Sequence, residues 1–154
     1  MLVSSITWPS RGGHDVEIAD RFRRENAFWQ WMGFTIDAEA ARAGNAVVTV
    51  DVRAEFFQHQ GVVHGGVLSA LIDSAGAWAF ALDHEESLRT INLAVQYLSP
   101  VPPKASRLAA QGTVVRAGKR IVIADVLVWR DSMEEVARGQ VLYSRNPAYR
   151  DSPS

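Results

Sequence analysis

Asp73 is the only charged residue in a long apolar segment, and this setting makes it the strongest candidate for chemistry in the chain. The segment runs from Gly65 to Leu82 and otherwise consists of apolar and small side chains. A helix that is apolar on nearly all sides is usually buried, and a carboxylate inside it is costly unless it has a partner or a chemical role. We expect Asp73 either to activate water or attack as a nucleophile, or to cap a backbone donor or pair with an arginine.

Two consecutive glycines, Gly65 and Gly66, open this predicted helix. The first four N–H groups of a helix have no partner inside it and lie at the positive end of its dipole. Glycine also lets a substrate approach the backbone closely. Such N–H groups suit a carbonyl oxygen that gains negative charge during acyl transfer, although a glycine pair alone more often serves tight packing at a turn.

Asp73 and Gly65 cannot act on the same carbonyl within one chain. They are eight residues apart in the sequence, which corresponds to about 12 Å along a helix. Asp73 could instead act on a carbonyl bound at the helix start of a second subunit, if the two helices run antiparallel. This predicts two equivalent sites across a two-fold dimer interface.

The loop before the helix contains His59 and His64, but their spacing matches no recognised metal motif, even with Asp73 added. We therefore expect no metal. We expect the ring of His64 to fix the shape of the loop, and a direct catalytic role is the less favoured alternative. The sequence contains neither a glycine-rich nucleotide-binding motif nor a Gly-x-Ser-x-Gly elbow.

Basic residues cluster in the later part of the sequence, around a turn and in the segment that leads to it: Lys104, Arg107, Arg116, Lys119 and Arg120. They could receive the phosphates of a large anionic carrier such as coenzyme A. Surface charge is more often simply solvated, and the sequence alone slightly favours that interpretation.

Composition narrows the class of protein. The 154 residues predict a single domain, and a net charge of −1 gives no sign of a nucleic-acid partner. The absence of cysteine fits a cytoplasmic protein, and we expect no signal peptide and no membrane span.

The order of predicted elements indicates an α+β fold in which an antiparallel sheet wraps around one long helix. We predict a first helix from Asp15 to about Trp31, ended by Gly33, and the central helix from about Gly65 to Leu82. Strands are predicted at 34–41, 46–53, 90–98, 108–116, 120–130 and 135–144, with Ile91 on the same face as Leu93. One helix covers one sheet face, so we expect a second subunit to cover the other.

The chain resembles the hotdog-fold acyl-CoA thioesterases of the phenylacetate-degradation (PaaI-like) type, which include thioesterase superfamily member 2. The resemblance covers about residues 30–145 of a single domain spanning 1–154. It rests on Gln58-x-x-Gly61-x-x-His64-Gly65-Gly66, Asp73, Thr90, Tyr97-Leu98-Ser99-Pro100 and the turn at 116–120. It implies five to six strands around one long helix, with an extra N-terminal helix.

The resemblance also implies roles for individual residues. The Gly65 N–H would polarise the thioester carbonyl, and Asp73 of the partner subunit would activate water or attack directly. Thr90 would help to hold the water, and His64 would support the loop. Gln58 would orient the substrate or water, although many relatives have the shorter asparagine at this position.

Substrate-binding positions follow from the same resemblance. Val63 and Gly66 would contact the substrate beside the helix start. The basic turn would face the nucleotide end of coenzyme A, through Arg116, Gly118, Lys119 and Arg120.

The implied activity is hydrolysis of an acyl-CoA thioester to the free acid and CoA, with CoA entering as part of the substrate and no separate cofactor. The minimal unit would be a homodimer, and the family is usually tetrameric, as a dimer of dimers. The main alternative is a non-catalytic hotdog module that binds acyl-CoA or a protein partner. A hotdog hydratase is disfavoured because the loop has no acid between Phe56 and Asp73.

Overall fold

The structure is a computed structural model of the chain. It describes residues 17, 20, 23–37, 40, 44–84, 86–131 and 134–146. The helices are α1 (Ala27–Met32), a short 3-10 helix (Ala54–Phe56) and α2 (Gly65–His84). The strands are β1 (Thr35–Ile36), β2 (Asn45–Asp51), β3 (Ser87–Tyr97), β4 (Arg107–Ala117), β5 (Ile121–Arg130) and β6 (Glu134–Asn146).

The six strands form one antiparallel sheet in the order β1-β2-β4-β5-β6-β3. One face of the sheet packs on α2, whose Leu71, Ile72 and Phe80 are fully buried. The predicted hotdog architecture, with one long helix against an antiparallel sheet, is confirmed. Among the described residues β3 lies at an edge of the sheet and pairs only with β6.

The sheet contacts α2 very closely where it carries Gly112. A Cβ added at Gly112 would lie 2.2 Å from the carbonyl oxygen of Ala75 on the helix. Gly76 has the same function on the helix side, because a Cβ there would lie 2.5 Å from the Tyr143 hydroxyl. Gly112 therefore lets the backbone of β4 meet the backbone of α2, and Gly76 leaves room for the Tyr143 side chain of β6 to reach α2.

The helix α2 is long and apolar enough to cross a membrane by length and composition alone. Most of it is buried inside the fold, as is usual for the core helix of a globular domain. The carboxylate of Asp73 therefore lies on a packed helix with one partly exposed side.

The predicted N-terminal helix is interrupted at Asn26, since the described residues 17, 20 and 23–25 are helical and α1 begins after Asn26. Asn26 caps α1, because its side chain accepts a hydrogen bond of 3.1 Å from the Trp29 N–H, and much of the predicted 15–31 helix lies outside the described residues. Gly33 ends α1 in the left-handed conformation, with a φ of 75°, as predicted. The first hairpin is confirmed, although β1 has only two residues.

The predicted face of Ile91 is wrong, and a β-bulge is the reason. The pairing of β3 with β6 shifts between Thr90 and Asn92, so Ile91 is an extra residue and its side chain is 54% exposed. A bulge inverts the alternation of side chains along a strand. Thr90 therefore points to the helix side of the sheet, where strict alternation from Leu93 would have placed Ile91.

Candidate active site

The side chain of Asp73 lies against the bulge in β3. The Thr90 hydroxyl donates a hydrogen bond of 2.7 Å to Oδ1 of Asp73. Burial raises the pKa of Asp73 above its ordinary value, and hydrogen bonds from Thr90 and Tyr143 oppose that rise. Among the described residues no salt bridge reaches Asp73, so this carboxylate is not tied up in an ion pair.

Tyr143 on β6 holds the backbone of the same residue. Its hydroxyl donates a hydrogen bond of 2.6 Å to the carbonyl oxygen of Asp73, which it can reach because Gly76 has no side chain. Burial, followed by the charge of Asp73, raises the pKa of Tyr143, so the phenol remains a donor. Tyr143 was not predicted from the sequence, where only the glycine at 76 on an otherwise packed helix offered a signal for it.

Two of the first backbone N–H groups of α2 have acceptors among the described residues. The Gly66 N–H donates to Nδ1 of His64 at 2.8 Å, and the Val67 N–H donates to the His64 carbonyl at 3.0 Å. Within the described part of the chain, no acceptor is found for the Gly65 N–H. Because Nδ1 of His64 accepts a hydrogen bond, its neutral ring carries the proton on Nε2.

Tyr97 covers the same glycine from β3. Its hydroxyl lies 2.6 Å from the Ser69 hydroxyl and donates a longer bond of 3.3 Å to the Gly65 carbonyl. A Cβ on Gly65 would lie 3.1 Å from the Tyr97 ring. The peptide between Gly65 and Gly66 is thus held from both sides, by Tyr97 and by His64. From the sequence, Tyr97 was recognised only as part of the Tyr97-Leu98-Ser99-Pro100 motif, and its contact with Gly65 was not predicted.

Gln58 is occupied by its own turn. Its Oε1 accepts the Gln60 N–H at 2.7 Å, and its Nε2 donates to the Gln60 side chain at 3.1 Å. The turn contains Gly61 with a φ of 77°. Gln58 must therefore break side-chain hydrogen bonds before it can orient a substrate or water.

Val63 lies deeper than a surface contact residue. It is only 5% exposed, and its N–H donates to the Val101 carbonyl at 3.0 Å. Val63, Gly65 and Tyr97 line one open pocket beside the helix start, so contact between Val63 and a ligand would occur inside this pocket.

The five basic residues do not form one cluster, and this corrects the sequence analysis. Arg107 begins β4 and Arg116 lies near its end, and a strand of this length extends about 30 Å. Arg107 donates to the Thr49 hydroxyl at 2.9 Å. Arg116, Lys119 and Arg120 remain together and exposed around the β4–β5 turn, where the Gly118 carbonyl accepts a hydrogen bond from the Arg145 guanidinium.

One chain therefore contains two separate parts of a possible site. Asp73 and Thr90 form one part, and the N–H of Gly65, for which no acceptor is found among the described residues, forms the other, about 12 Å away along α2. No group of three potential metal ligands occurs among the described residues. The chemistry available is that of a carboxylate with a raised pKa and a backbone N–H donor.

Comparison with known proteins gives this arrangement a context. A family model described as Thioesterase superfamily matches residues 60–137, a stretch that contains Gly65, Asp73 and Thr90. The X-ray structure of a thioesterase-superfamily protein is 32% identical, with a TM-score of 0.75, over 84% of this chain and 97% of that one. A Saccharolobus solfataricus protein named for an expected esterase activity is 26% identical over 111 residues, 71% of each chain.

Two further structures belong to PaaI proteins. A variant of the phenylacetic acid degradation protein PaaI of Thermus thermophilus is 27% identical, with a TM-score of 0.70, over 79% of this chain and 100% of that one. The E. coli PaaI protein from the phenylacetic acid degradation operon shares the fold, with a TM-score of 0.76 and 24% identity, over 86% of this chain and 94% of that one. The resemblance to PaaI-like hotdog thioesterases is confirmed.

Proposed function

The chain belongs to the thioesterase superfamily, and from that premise we propose that it hydrolyses an acyl-CoA thioester to the free acid and CoA. The observation that carries this proposal is the carboxylate of Asp73, which is partly buried, free of ion pairs within the described residues and directed by Thr90. A carboxylate whose pKa is raised above its ordinary value is a better general base than an ordinary surface aspartate.

In the proposed reaction the Gly65 N–H donates to the thioester carbonyl oxygen as it gains negative charge. Asp73 either takes a proton from the attacking water or attacks the carbonyl carbon itself. The Thr90 hydroxyl holds the carboxylate and, in the first case, helps to hold the water. The carbonyl then re-forms and the C–S bond breaks, which releases CoA as a thiolate that takes up a proton.

We propose that Gly65 of one subunit and Asp73 of its partner form each site. Two features support this arrangement. The edge strand β3 exposes Ile91 and Tyr97, which are 54% and 55% exposed in the single chain, and an unpaired edge readily adds a strand. The side of α2 that carries Asp73 also carries Ala70 and Ala77, which are small and only partly buried, so a second helix could approach closely.

We further propose that the β4–β5 turn binds the nucleotide end of CoA. Its exposed cations are Arg116, Lys119 and Arg120, and the Gly118 carbonyl is already held by Arg145. Cationic side chains of this kind suit phosphate groups. An assembly of two dimers would be the expected complete protein, with the cytoplasm as its location.

The first experiment measures CoA release from a panel of acyl-CoAs. Asp73→Asn keeps the size of the side chain and removes its basicity, so kcat should fall by about 10²–10⁴-fold. Asp131→Asn is a matched control, because Asp131 lies at the turn after β5 and binds Ser106. Retention of the full wild-type rate in Asp73→Asn would rule out the assigned role.

The second experiment tests whether the site is shared. Asp73→Ala removes the carboxylate, and Gly65→Pro removes the N–H at the first helical position, where proline is best tolerated. Each variant alone should be inactive. If the site is shared, mixed dimers regain one intact site, and random mixing restores about a quarter of wild-type activity. A site formed within one chain would show no recovery.

A non-catalytic hotdog module that binds acyl-CoA would behave differently. If isothermal titration detects tight binding of both aliphatic and aryl acyl-CoAs while no CoA is released over hours, the protein binds acyl-CoA without hydrolysing it. In that case Asp73→Asn should bind acyl-CoA with the wild-type affinity and, like wild type, should release no CoA.

A further inference from the structure

We infer that Tyr143 is a positioning residue, because its hydroxyl lies within the hydrogen-bond ladder of α2 at Asp73 and sets the direction of the Asp73 side chain. The inference rests on the proposed thioester hydrolysis and adds to it a residue of β6. The match to the family model ends at residue 137, so it does not include Tyr143.

The Tyr143 hydroxyl contacts both members of one helical hydrogen bond. In an α-helix the carbonyl of Asp73 accepts from the N–H of Ala77, four residues further on. The hydroxyl donates to that carbonyl at 2.6 Å and accepts a hydrogen bond from the Ala77 N–H. A hydroxyl can donate and accept at the same time, so the two contacts are compatible. A side chain inserted into the ladder in this way is a recognised cause of a change in helix direction.

The sequence leaves space for this hydroxyl against α2. A Cβ at Gly76 would lie 2.5 Å from the hydroxyl oxygen of Tyr143, but 3.4 Å from the Ala124 side chain on β5. A side chain at position 76 would therefore push the hydroxyl away from Asp73. Glycine destabilises a helix interior relative to alanine, and the contact with Tyr143 accounts for its presence in the middle of α2.

The sheet holds the Tyr143 ring in place. The residue is 1% exposed and lies between its cross-strand partners, Thr90 on β3 and Val122 on β5. A closely packed ring of this kind cannot swing aside without moving its neighbours. The strand register therefore sets the position of the hydroxyl, and the hydroxyl in turn holds the turn of α2 that carries Asp73.

The direction of the Asp73 side chain follows from the backbone of that turn, because the turn orients the Cα–Cβ bond. A reacting group displaced by about 1 Å can lose about 10²-fold in rate. Burial raises the pKa of the Asp73 carboxylate, and the Thr90 and Tyr143 hydroxyls lower it. Loss of the Tyr143 hydroxyl should therefore both misdirect Asp73 and raise its pKa further.

The test is Tyr143→Phe, which keeps the ring and removes the hydroxyl. On the acyl-CoA that wild type hydrolyses fastest, kcat should fall by about tenfold or more. KM should stay near the wild-type value, because the contacts with the bound substrate are unchanged. The acid limb of the pH profile should move to higher pH.

The matched control is Ser144→Ala, on the next residue of the same strand. Ser144 also carries a hydroxyl that donates to a backbone carbonyl, that of Arg89, at 3.4 Å. Its loss should leave kcat and the acid limb at their wild-type values.

A double variant separates the positioning role from simple packing. Gly76→Ala alone should lower kcat, because its Cβ pushes the Tyr143 hydroxyl away. In Gly76→Ala/Tyr143→Phe the hydroxyl is absent, so the new Cβ fits and α2 gains a better helix former. The double variant should therefore melt at a higher temperature than Gly76→Ala. Its kcat and acid limb should nevertheless match those of Tyr143→Phe.

Two kinetic results would overturn the inference. One is a folded Tyr143→Phe protein with the wild-type kcat and acid limb. The other is a stable double variant that recovers both values, because Tyr143 would then only fill space. If Tyr143→Phe does not fold, NMR of the wild type decides. The Tyr143 hydroxyl proton should exchange slowly with water and show a nuclear Overhauser effect to the Ala77 amide, and its absence would overturn the inference.

A failure of the proposed function itself is recognised separately, because wild type would then hydrolyse no acyl-CoA. The carboxyl carbon of Asp73 is then titrated by NMR in wild type, Tyr143→Phe and Ser144→Ala. A pKa that is higher in Tyr143→Phe alone supports the action of the hydroxyl on Asp73. The same pKa in all three proteins overturns it.

Discussion

Thr90 and Tyr143 are direct partners across β3 and β6, and both bind Asp73 on the helix beneath them. Thr90 holds the carboxylate at 2.7 Å, and Tyr143 holds the backbone carbonyl at 2.6 Å. One cross-strand pair therefore fixes both the side chain and the peptide of the candidate base. Such double support restricts the rotamer that a catalytic carboxylate can adopt.

The first prediction concerns the pH dependence of hydrolysis. Activity requires the carboxylate form of Asp73, so kcat/KM should fall as the pH drops through its raised pKa. The hydrogen bond from Thr90 lowers that pKa, and Thr90→Val should therefore move the acid limb of the profile to higher pH. The rate at neutral pH should also fall, by about tenfold.

Thr90→Ser is the matched control for this experiment, because it keeps the hydroxyl and loses only a methyl group. Its acid limb should coincide with that of the wild type. An acid limb that stays in place in Thr90→Val would show that another group controls the profile.

The second prediction concerns stability. Burial raises the pKa of Asp73 in the folded protein above the ordinary 3.8, so the folded state binds a proton more readily than the unfolded state. The contribution of Asp73 to the free energy of unfolding must therefore decrease as the pH rises from 3.8 through the folded-state pKa. Asp73→Asn should therefore have a higher free energy of unfolding than wild type at neutral pH. The difference between the two proteins should become smaller in acid.

Urea denaturation at a series of pH values measures this difference directly. The parallel experiment with Asp131→Asn should give the opposite sign, because hydrogen bonds from Ser106 lower the pKa of Asp131. Loss of that carboxylate removes a stabilisation that is present above the ordinary pKa of 3.8. If the difference in the free energy of unfolding between Asp73→Asn and wild type grows in acid, the pKa of Asp73 is not raised in the folded protein.

The third prediction concerns the donor at the helix start. Tyr97→Phe removes the hydrogen bonds to Gly65 and Ser69 and leaves the ring in place. We expect kcat to fall roughly threefold to tenfold with little change in KM, because Gly65, whose N–H would donate to the thioester carbonyl, is less well held. Steady-state kinetics on phenylacetyl-CoA measures both values, and a change in KM alone would assign Tyr97 to binding.

The fourth prediction concerns the contact between sheet and helix. Gly112→Ala places a Cβ about where the Ala75 carbonyl oxygen lies, at 2.2 Å, so the backbone of β4 or α2 must move. The free energy of unfolding should fall by roughly 3 kcal/mol, at the upper end of the usual range for overpacking. The control is Val115→Ala on the same strand. Because the Val115 side chain is 57% exposed, this substitution should change the free energy of unfolding by less than about 0.5 kcal/mol.

Local signals explain which elements were predictable. The continuous apolar pattern of α2 and the left-handed stop at Gly33 depend only on neighbouring residues, and both are present in the structure. The face of Ile91 was not predictable, since a bulge depends on how β3 registers against β6. Tyr143 was missed for the same reason, because its partner Asp73 is 70 residues away in the sequence.

The sequence by itself determined the central helix, the glycine start and the isolated carboxylate, because apolar periodicity and residue type are properties of a short segment. Only the tertiary structure decided that Thr90 rather than Ile91 faces Asp73, that the basic residues fall at two ends of β4, and that Tyr143 reaches the backbone of α2. Each of these depends on strand register and on packing between distant segments, where a shift of one residue moves a side chain to the other face.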